Sequence, residues 1–341
     1  MTLFSLPKFI WKHIIDNLSP NDIVNMRLVL KYFDNTVDEA NWKRCFDNGS
    51  CAIALVKCTK NDMDNFWYYA CFNHDACGSI DNALNKIENN IYNKIFIKHG
   101  TYQINAVNVE HNYIWHSYWR ICSVELIGSS SAITTIIGKH SNFSNYLING
   151  LRTLFISNIT FGVDLNVRNA YELFITDCKF GQSMLRLNNV IKVTVECCIF
   201  NGAAPIHVNM GYGNEPKIEY IINNNIFKRN YIREGEICIF FSNNVDMTSS
   251  IDISNNIISN YGMLCQIGEY IIITFRNNHI SNIHSCILCW WINNNSDIVF
   301  NNNTFDHVER LYGDNNVTDK MTLETNNTYI DCGHELMRYT K

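Results

Sequence analysis

One short pattern of apolar and polar residues recurs along the chain from residue 154 onward. It reads LFISNITF at 154–161 and YIINNNIF at 220–227, and its eight copies close on an apolar or aromatic residue at positions 161, 180, 200, 227, 258, 280, 305 and 329. Successive copies therefore lie 19 to 31 residues apart. A period of this size is typical of a solenoid, because one such repeat cannot bury its own apolar side chains and must stack on the next.

Within a copy, apolar residues fall seven, five and zero positions before the end, which is the alternation of a β-strand. Two residues, often Asn-Asn, interrupt it, and Asn tolerates the left-handed backbone region better than other non-glycine residues. The pair therefore predicts a corner between two short strands, where Asn side chains of successive coils stack and hydrogen-bond. Cys178 and Cys198 fall at the same corner position. The L-x-x-L-x-L spacing of leucine-rich repeat proteins is absent, and the blades of propeller proteins need about 40 residues. The repeat therefore predicts a right-handed parallel β-helix.

Composition excludes several classes of protein. The 341 residues include 50 Asn but only 17% charged residues, and the net charge of −5 comes without a basic block, which argues against a nucleic-acid partner. The start, MTLFSLPKFIWKH, lacks the apolar run of a secretory leader, and no apolar run approaches the ~20 residues of a membrane span. We expect a cytoplasmic protein with reduced cysteines, no membrane partner and no cofactor.

A capping helix is expected ahead of the repeats. Residues 78–90 place Ile80, Leu84 and Ile87 on one helical face, with Ser79 as its N-cap. The motifs I-x-I-x-x-G-x-Y, from Ile95, and V-x-L-I-G, from Val124, follow. Over roughly 78–332 the sequence resembles the pectin-lyase-like β-helix proteins, and the resemblance implies a capped solenoid from 78 to 341.

The first 46 residues predict a different kind of unit. Pro7 suits the start of a helix, and apolar residues follow it at helical spacing up to Leu18. The turn SPND at 19–22 begins a second helix, and a third would carry Trp42. About forty residues form a marginal core alone, so we expect these apolar helices to be covered by something else.

This unit resembles an F-box. The slots of the family pattern are filled by Leu6, Pro7, Ile14, Leu18, Asp22, Val29, Lys31 and Trp42, while Leu30 and Phe33 replace its Cys and its Trp. The resemblance implies that the unit docks onto a Skp-family adaptor and through it onto a cullin. The adaptor contacts would be Leu6, Pro7, Ile10, Ile14, Leu18, Ile23, Met26, Val29 and Trp42. A plain three-helix cap is the alternative.

The predicted organisation is an F-box at 1–46, a helical linker at 47–77 and the β-helix at 78–341. An F-box joined to such a β-helix, in so Asn- and Ile-rich a chain, resembles the F-box proteins of giant DNA viruses. That resemblance implies a host–virus interaction and a location in the cytoplasm or nucleus of a host cell.

Catalytic and metal sites are weighed against structural roles. Polysaccharide-cleaving β-helix enzymes need clustered or paired carboxylates, whereas Asp177, Glu196, Asp252 and Asp297 occupy different turn positions, with no two predicted to share a face in adjacent coils. We therefore expect no catalytic residue. The spacing of Cys71, His74 and Cys77 is compatible with zinc, with Cys58 as a fourth ligand, but three packed side chains are the alternative.

The predicted function is recognition of a target protein, of unknown identity, for ubiquitination. Adjacent Trp290 and Trp291 place one indole on the outside of a strand, and the longest insertions, 201–219 and 228–250, contain further candidates for target binding, namely Tyr212, Arg229 and Arg233. Two alternatives remain. One is a carbohydrate-active β-helix enzyme, and the other is a viral decoy that binds the adaptor without presenting a target.

Overall fold

The structure, a computed structural model, describes residues 8–19, 21–23, 25, 37, 39–58, 70–71, 74–89, 91–104, 120–130, 134–138, 145–209, 218–232, 236–242, 249–267, 271–289, 297–312, 321–323 and 326–333. Three helices lie in these ranges: α1 (Lys8–Asp16), α2 (Glu39–Asn48) and α3 (Ile80–Asn85). Residues 21–23 and 25 are also helical.

Strands make up most of the described chain. In chain order they are β1 (Ile53–Cys58), β2 (Asp75–Ala76), β3 (Tyr92–Ile97), β4 (Gly100–Ile104), β5 (Arg120–Gly128), β6 (Thr134–Gly138), β7 (Asn145–Asn149), β8 (Leu151–Ser157), β9 (Thr160–Phe161), β10 (Asp164–Arg168), β11 (Glu172–Thr176), β12 (Lys179–Phe180), β13 (Leu185–Asn188), β14 (Lys192–Glu196), β15 (Ile199–Phe200), β16 (Ile206–Asn209), β17 (Glu219–Asn223), β18 (Ile226–Lys228), β19 (Ile237–Ser242), β20 (Ser249–Ser254), β21 (Ile257–Ile267), β22 (Ile271–Arg276), β23 (His279–Cys289), β24 (Asp297–Asn301), β25 (Thr304–Tyr312), β26 (Met321–Leu323) and β27 (Thr328–Ile330).

These strands form a three-sided parallel β-helix, which confirms the predicted architecture. The first side runs β3-β5-β8-β11-β14-β17-β20-β22-β24-β26, the second runs β4-β6-β9-β12-β15-β18-β21, and the third runs β7-β10-β13-β16-β19-β21. One coil is therefore one strand from each side, for example β8, β9 and β10. In the last coils β21, β23 and β25 each continue from the second side into the third, bending at Asn260, Asn282 and His307, whose φ angles are 65°, 52° and 53°.

The closing residues of the sequence repeat lie in register along the second side. Phe161 pairs with Phe180, Phe180 with Phe200 and Phe200 with Phe227, and the series continues to Tyr329. The Phe rings of the first four copies stack inside the solenoid at centroid distances of 5.0, 4.8 and 4.8 Å. The repeat alignment read from the sequence is thus confirmed residue by residue.

The corner between the first and second sides is the predicted Asn corner. Its first residue has a left-handed backbone in successive coils, with φ near 55° at Asn224, 56° at Asn255 and 56° at Asn277. The residue after it points inward and is buried, except for the half-buried Asn327 of the last coil. In the later coils this inner position is always Asn, in the order Asn225, Asn256, Asn278, Asn303 and Asn327.

These inner Asn side chains form a continuous hydrogen-bonded ladder along the axis. Asn256 Nδ2 donates to Asn278 Oδ1 at 3.1 Å and to the backbone carbonyl of Ile222 at 2.8 Å, while Asn278 Oδ1 also accepts from the Asn256 backbone N at 2.9 Å. Each amide thereby satisfies backbone groups that a tight buried corner would leave unpaired. Cys178 and Cys198 occupy the same inner position in earlier coils, as predicted, and the Cys198 backbone N donates to Asn225 Oδ1 at 2.8 Å.

The N-terminal end of the solenoid is closed by the predicted helix. The Ser79 hydroxyl accepts from the backbone N of Asn82, so Ser79 is the N-cap of α3 as expected. Ile80 and Leu84 are buried in the core of the solenoid, and Ile87 packs partly against it. The helix covers the apolar cross-section that an open coil would expose.

The predicted helical linker at 47–77 is wrong over most of its described residues. α2 extends to Asn48, and only residues 70–71 of the remainder are helical. Residues 53–58 instead form β1, which pairs antiparallel with β3 from Ile53↔Ile97 to Cys58↔Tyr92, and the two-residue β2 pairs antiparallel with β1 in turn. This segment belongs to the first side of the solenoid because its apolar run pairs with a strand about forty residues away in sequence.

Membrane-spanning helices do not occur in the described residues. The longest helix there, α2, has ten residues, and none is both long and apolar enough to cross a bilayer.

Candidate functional site

The helical head has a small core of its own. Trp11 and Ile15 of α1 pack with Ile23, Trp42 and Cys45, and all five side chains are buried. Trp11 and Ile15 are four residues apart, so they form one stripe along α1. The head is therefore held together by its own side chains.

A second apolar stripe on α1 is only partly covered. Ile10 and Ile14, together with Leu18 in the turn just after the helix, recur every four residues beside the buried stripe, and each is half-buried in the chain by itself. The polar side, with Lys12, His13 and Asn17, is exposed. An isolated surface helix buries one apolar stripe and exposes polar residues elsewhere, so α1 carries more apolar surface than its own core uses.

A polar cluster fixes the angle between α1 and α2. Asp16 at the end of α1 pairs with Arg44 of α2 and accepts a hydrogen bond from Asn41 Nδ2 at 3.2 Å. Arg44 also donates to the backbone carbonyl of Ile15 at 3.2 Å, which satisfies one of the carbonyls that end a helix. The half-buried stripe is thus presented on a fixed framework.

The head packs directly on the outer surface of the first coil. Phe46 of α2 lies in a buried cluster with Ala54 and Val56 of β1 and Phe96 of β3, and its ring meets that of Phe96 edge-on at a centroid distance of 6.3 Å. Lys94 on the same outer surface is 1% exposed. Its ammonium pairs with Glu125 at 2.9 Å, as a buried charge requires.

Hydrogen bonds reinforce this contact after α2. Lys98 Nζ donates to the carbonyl of Gly49 at 2.6 Å, and Tyr102 Oη donates to the carbonyls of Lys98 and Ala52 at 2.9 and 3.3 Å. Head and solenoid therefore form a continuous packed structure in the described residues.

The predicted adaptor contacts separate into three groups. Ile10, Ile14 and Leu18 form the half-buried stripe. Ile23 and Trp42 are 1% and 2% exposed and form the core of the head, so the prediction that they are exposed for direct contact is wrong. The others, Leu6, Pro7, Met26 and Val29, lie outside the described residues.

The zinc candidates are packed side chains. The Cys71 thiol donates to the carbonyl of Trp42 at 3.3 Å, and burial raises its pKa to about 12. Cys77 lies in the solenoid core and donates to the carbonyl of Asp75 at 3.4 Å, and burial raises its pKa too. Zinc is bound by thiolates, and the described residues contain no group of three or more potential ligands that could hold a metal ion.

His74 gives a pH prediction. Its Nδ1 is buried with no hydrogen-bond partner among the described residues, and burial, opposed by the charge of Asp75, lowers the pKa of His74 below its ordinary 6.5. Protonation therefore favours the unfolded chain, and the stabilisation present above the ordinary pKa is lost as the pH falls below it. We expect the free energy of unfolding to decrease from about pH 7 to about pH 5. His74→Gln should make this dependence shallower in urea titrations across that range; an unchanged slope would contradict the assignment.

The predicted target-binding residues lie mostly outside the described part of the chain. Trp290, Trp291, Tyr212 and Arg233 are among the residues whose structure is not described. Arg229 is described, and its prediction as an exposed binding residue is wrong: its side chain is 6% exposed, pairs with Glu236 and stacks over the ring of Tyr231 at 5.0 Å. It anchors the insertion that follows β18.

Two carboxylates of the solenoid lie closer together than predicted. The backbone N of Asp177 at the corner donates to the carbonyl of Glu196 in the next coil at 3.3 Å, and burial and both carboxylates raise the pKa of Cys197, which follows Glu196. Glu172 and Glu219, which the sequence reading did not single out, point outward in the same row of the first side. Asp252 pairs with Arg276, whose Nε donates to Oδ1 at 3.1 Å. The alternation of apolar and polar residues within β11 and β17 is the sequence signal that could have placed Glu172 and Glu219 on the outer surface.

A shallow groove of about 330 Å³ crosses the outside of the first side and is lined by side chains of β17, β20 and β22, among them Glu219, Ile221, Asp252 and Arg276. Arg276 among these lining residues pairs with Asp252, and Glu219 pairs with Lys192 of the neighbouring strand β14 at 3.8 Å. The described carboxylates there do not form the unpaired dyad that glycoside hydrolysis requires.

Comparisons with known proteins add little. No family model matches the sequence, and no curated protein sequence is significantly similar to it. Among solved structures, the chain is similar to one described as "Crystal structure of Agl-KA catalytic domain", at 11% identity and a TM-score of 0.26, over 80% of this chain and 66% of the other. A similarity this low carries no argument about function, so any functional assignment depends on the surfaces described above.

Proposed function

We propose that the chain is the target-recognition subunit of a Skp–cullin–F-box ubiquitin ligase. In this proposal the helical head docks a Skp-family adaptor, and the β-helix presents its surface to a target protein. Ubiquitin transfer is carried out by the partners, and the chain itself supplies binding surfaces only.

The observation that carries the proposal is the second apolar stripe of α1. Ile10, Ile14 and Leu18 keep part of their surface uncovered although a complete core lies next to them. Helices that dock into a partner present apolar residues at this i, i+4, i+8 spacing. The F-box resemblance of the same segment supports a Skp-family adaptor as that partner.

The second support is the attachment of the head. Because α2 packs on β1 and β3, an adaptor bound to α1 would hold the solenoid in a defined orientation. A rigid connection places a bound target at a constant distance from the rest of the ligase, which favours productive transfer over random encounters.

Co-precipitation of the adaptor and cullin tests the proposal. Ile10→Glu/Ile14→Glu should reduce recovery of the adaptor at least about tenfold, because two buried anchor residues typically contribute more than 1.4 kcal/mol together. Leu6→Ala/Pro7→Ala should act in the same direction. Lys12→Glu, on the exposed polar side of the same helix and with the same change of two charge units, is the matched control and should retain recovery.

Two results would count against the proposal. Equal recovery by the apolar and polar variants, with both folded by circular dichroism, would leave the head as a structural cap. Recovery of the adaptor without any protein becoming ubiquitinated would instead support the decoy hypothesis.

A further inference from the structure

The outer surface of the first side is an open sheet face between β8 and β22. Each strand there directs three side chains outward, and the corner after it adds a fourth. The middle row, in register across the strands, is Phe155, Phe174, Thr194, Ile221, Asp252 and Thr274. None of these side chains is buried, although three are large and apolar.

Two aromatic rings begin this row. Phe155 and Phe174 lie in adjacent coils with ring centroids 6.3 Å apart and an interplanar angle of 38°. Both side chains are half-buried, so part of each ring remains accessible. Two coils further on, Ile221 is 44% exposed. Half-exposed apolar side chains that line up along one sheet face are typical of an interaction surface.

Carboxylates border the rings on both sides. Glu172 lies on the same strand as Phe174, on one side of it, and Asp177 and Glu196 lie on the other side. None of these three is in an ion pair with another described residue. Of the three cations on these strands, Lys192 and Arg276 are already paired with Glu219 and Asp252, and Arg152 lies at the start of β8.

The charge of this face determines its partner. Five carboxylates against three cations, the third being the exposed Arg152 at the start of β8, leave two uncompensated negative charges on β8, β11, β14, β17, β20, β22 and the corners that follow them. Such a surface repels nucleic acid and acidic polysaccharides and attracts cationic side chains. A guanidinium or ammonium can stack on an aromatic ring while a neighbouring carboxylate pairs with it.

We propose that this face binds an extended, basic segment of a partner polypeptide, with an Arg or Lys side chain stacked on Phe155 and Phe174 and paired with Glu172 and Glu196. An apolar side chain of the same segment lies against Ile221. Coils of a β-helix are about 4.8 Å apart, so the three coil steps from Glu172 to Asp252 span about 14 Å. An extended chain covers that distance with about four to five residues.

This inference names the class of target protein for the proposed ligase subunit. Only the identification of the bound peptide as a ubiquitination target rests on the proposed function. The binding itself needs no adaptor. It can therefore be measured on the intact chain alone, and its failure is distinguishable from failure of the head to dock.

Fluorescence anisotropy with a short labelled peptide of alternating Arg and Val tests the inference. A peptide of alternating Glu and Val is the control ligand. We expect binding of the basic peptide only, and weaker binding as ionic strength rises from about 0.05 to about 0.5 M, because screening reduces the attraction. Glu172→Gln/Glu196→Gln should raise the Kd about tenfold, and Phe174→Ala about three- to tenfold.

A matched control removes two charges elsewhere. Asp306→Asn/Glu309→Gln changes the net charge equally on one half-buried and one exposed residue of β25 and should leave the Kd within about twofold. An equal loss in this control, equal binding of the acidic peptide, or no binding of the basic one would overturn the inference. If spermine competed with an affinity equal to that of the basic peptide, the inference would also be overturned, because the site would then bind small polycations and not specifically a polypeptide. The Glu172→Gln/Glu196→Gln variant should still recover the adaptor.

Discussion

Asn278→Ala should lower the free energy of unfolding by about 4 kcal/mol, because it leaves two buried backbone groups unpaired at about 1–3 kcal/mol each. The side chain is 2% exposed. Its Nδ2 donates to the carbonyl of Ile253 at 2.8 Å, and its Oδ1 accepts from the backbone N of Asn256 at 2.9 Å. Alanine can replace neither contact, and the surrounding coils are too tightly stacked to admit water easily. Urea unfolding followed by far-UV circular dichroism measures the effect.

The adjacent residue provides the control. Asn277 is exposed at the outer corner position with φ 56°, a conformation that glycine adopts without strain. Asn277→Gly removes an exposed hydrogen bond from Asn302 and should change stability by no more than about 1 kcal/mol. Similar losses at the two positions would show that the ladder does not stabilise the corner through its buried amides.

Phe46→Ala should destabilise the contact between head and solenoid by about 3–5 kcal/mol, the usual cost of truncating a buried Phe. The side chain is 2% exposed and fills the space between β1 and Phe96. We expect faster hydrogen exchange in β1 and earlier proteolytic cleavage between head and solenoid. Exchange in the strands from β11 to β18 should be unchanged, because they lie several coils away.

Phe46→Leu keeps most of the apolar volume and should lose only about 1–1.5 kcal/mol. If both variants left exchange in β1 at the wild-type rate, the head would be attached by contacts other than Phe46. A uniform acceleration along the whole chain would show instead that the solenoid unfolds as one unit with its head.

The repeat could be predicted from the sequence because its determinants are local. Strand alternation, the corner and the closing residue all fall within eight consecutive residues, so each copy reports its own register. The misassigned linker shows the opposite case. The run IALVKC at 53–58 is too short for its periodicity to separate helix from strand, and it becomes β1 through pairing with β3.

Site residues were harder to predict than the fold. Ile23 and Trp42 are apolar at helical spacing, which shows that they are buried but not whether the chain or a partner covers them. Arg229 lies in a polar insertion, and its burial depends on Glu236 seven residues later, a pairing that follows from the path of the insertion. Predicting the acidic outer face required knowing which residues of successive coils lie in register, because its carboxylates come from strands about twenty to thirty residues apart.

The antiparallel strands β1 and β2 have a consequence for self-assembly. A stack of parallel coils ends in unpaired backbone groups that could template another molecule and grow into fibres. Here β1 reverses direction on the first coil, and the last strand beyond it, β2, is only two residues long with both side chains exposed. On this side the N-terminal end presents antiparallel strands in place of a parallel coil, so we expect the same segment that carries the head to hinder fibre growth from it.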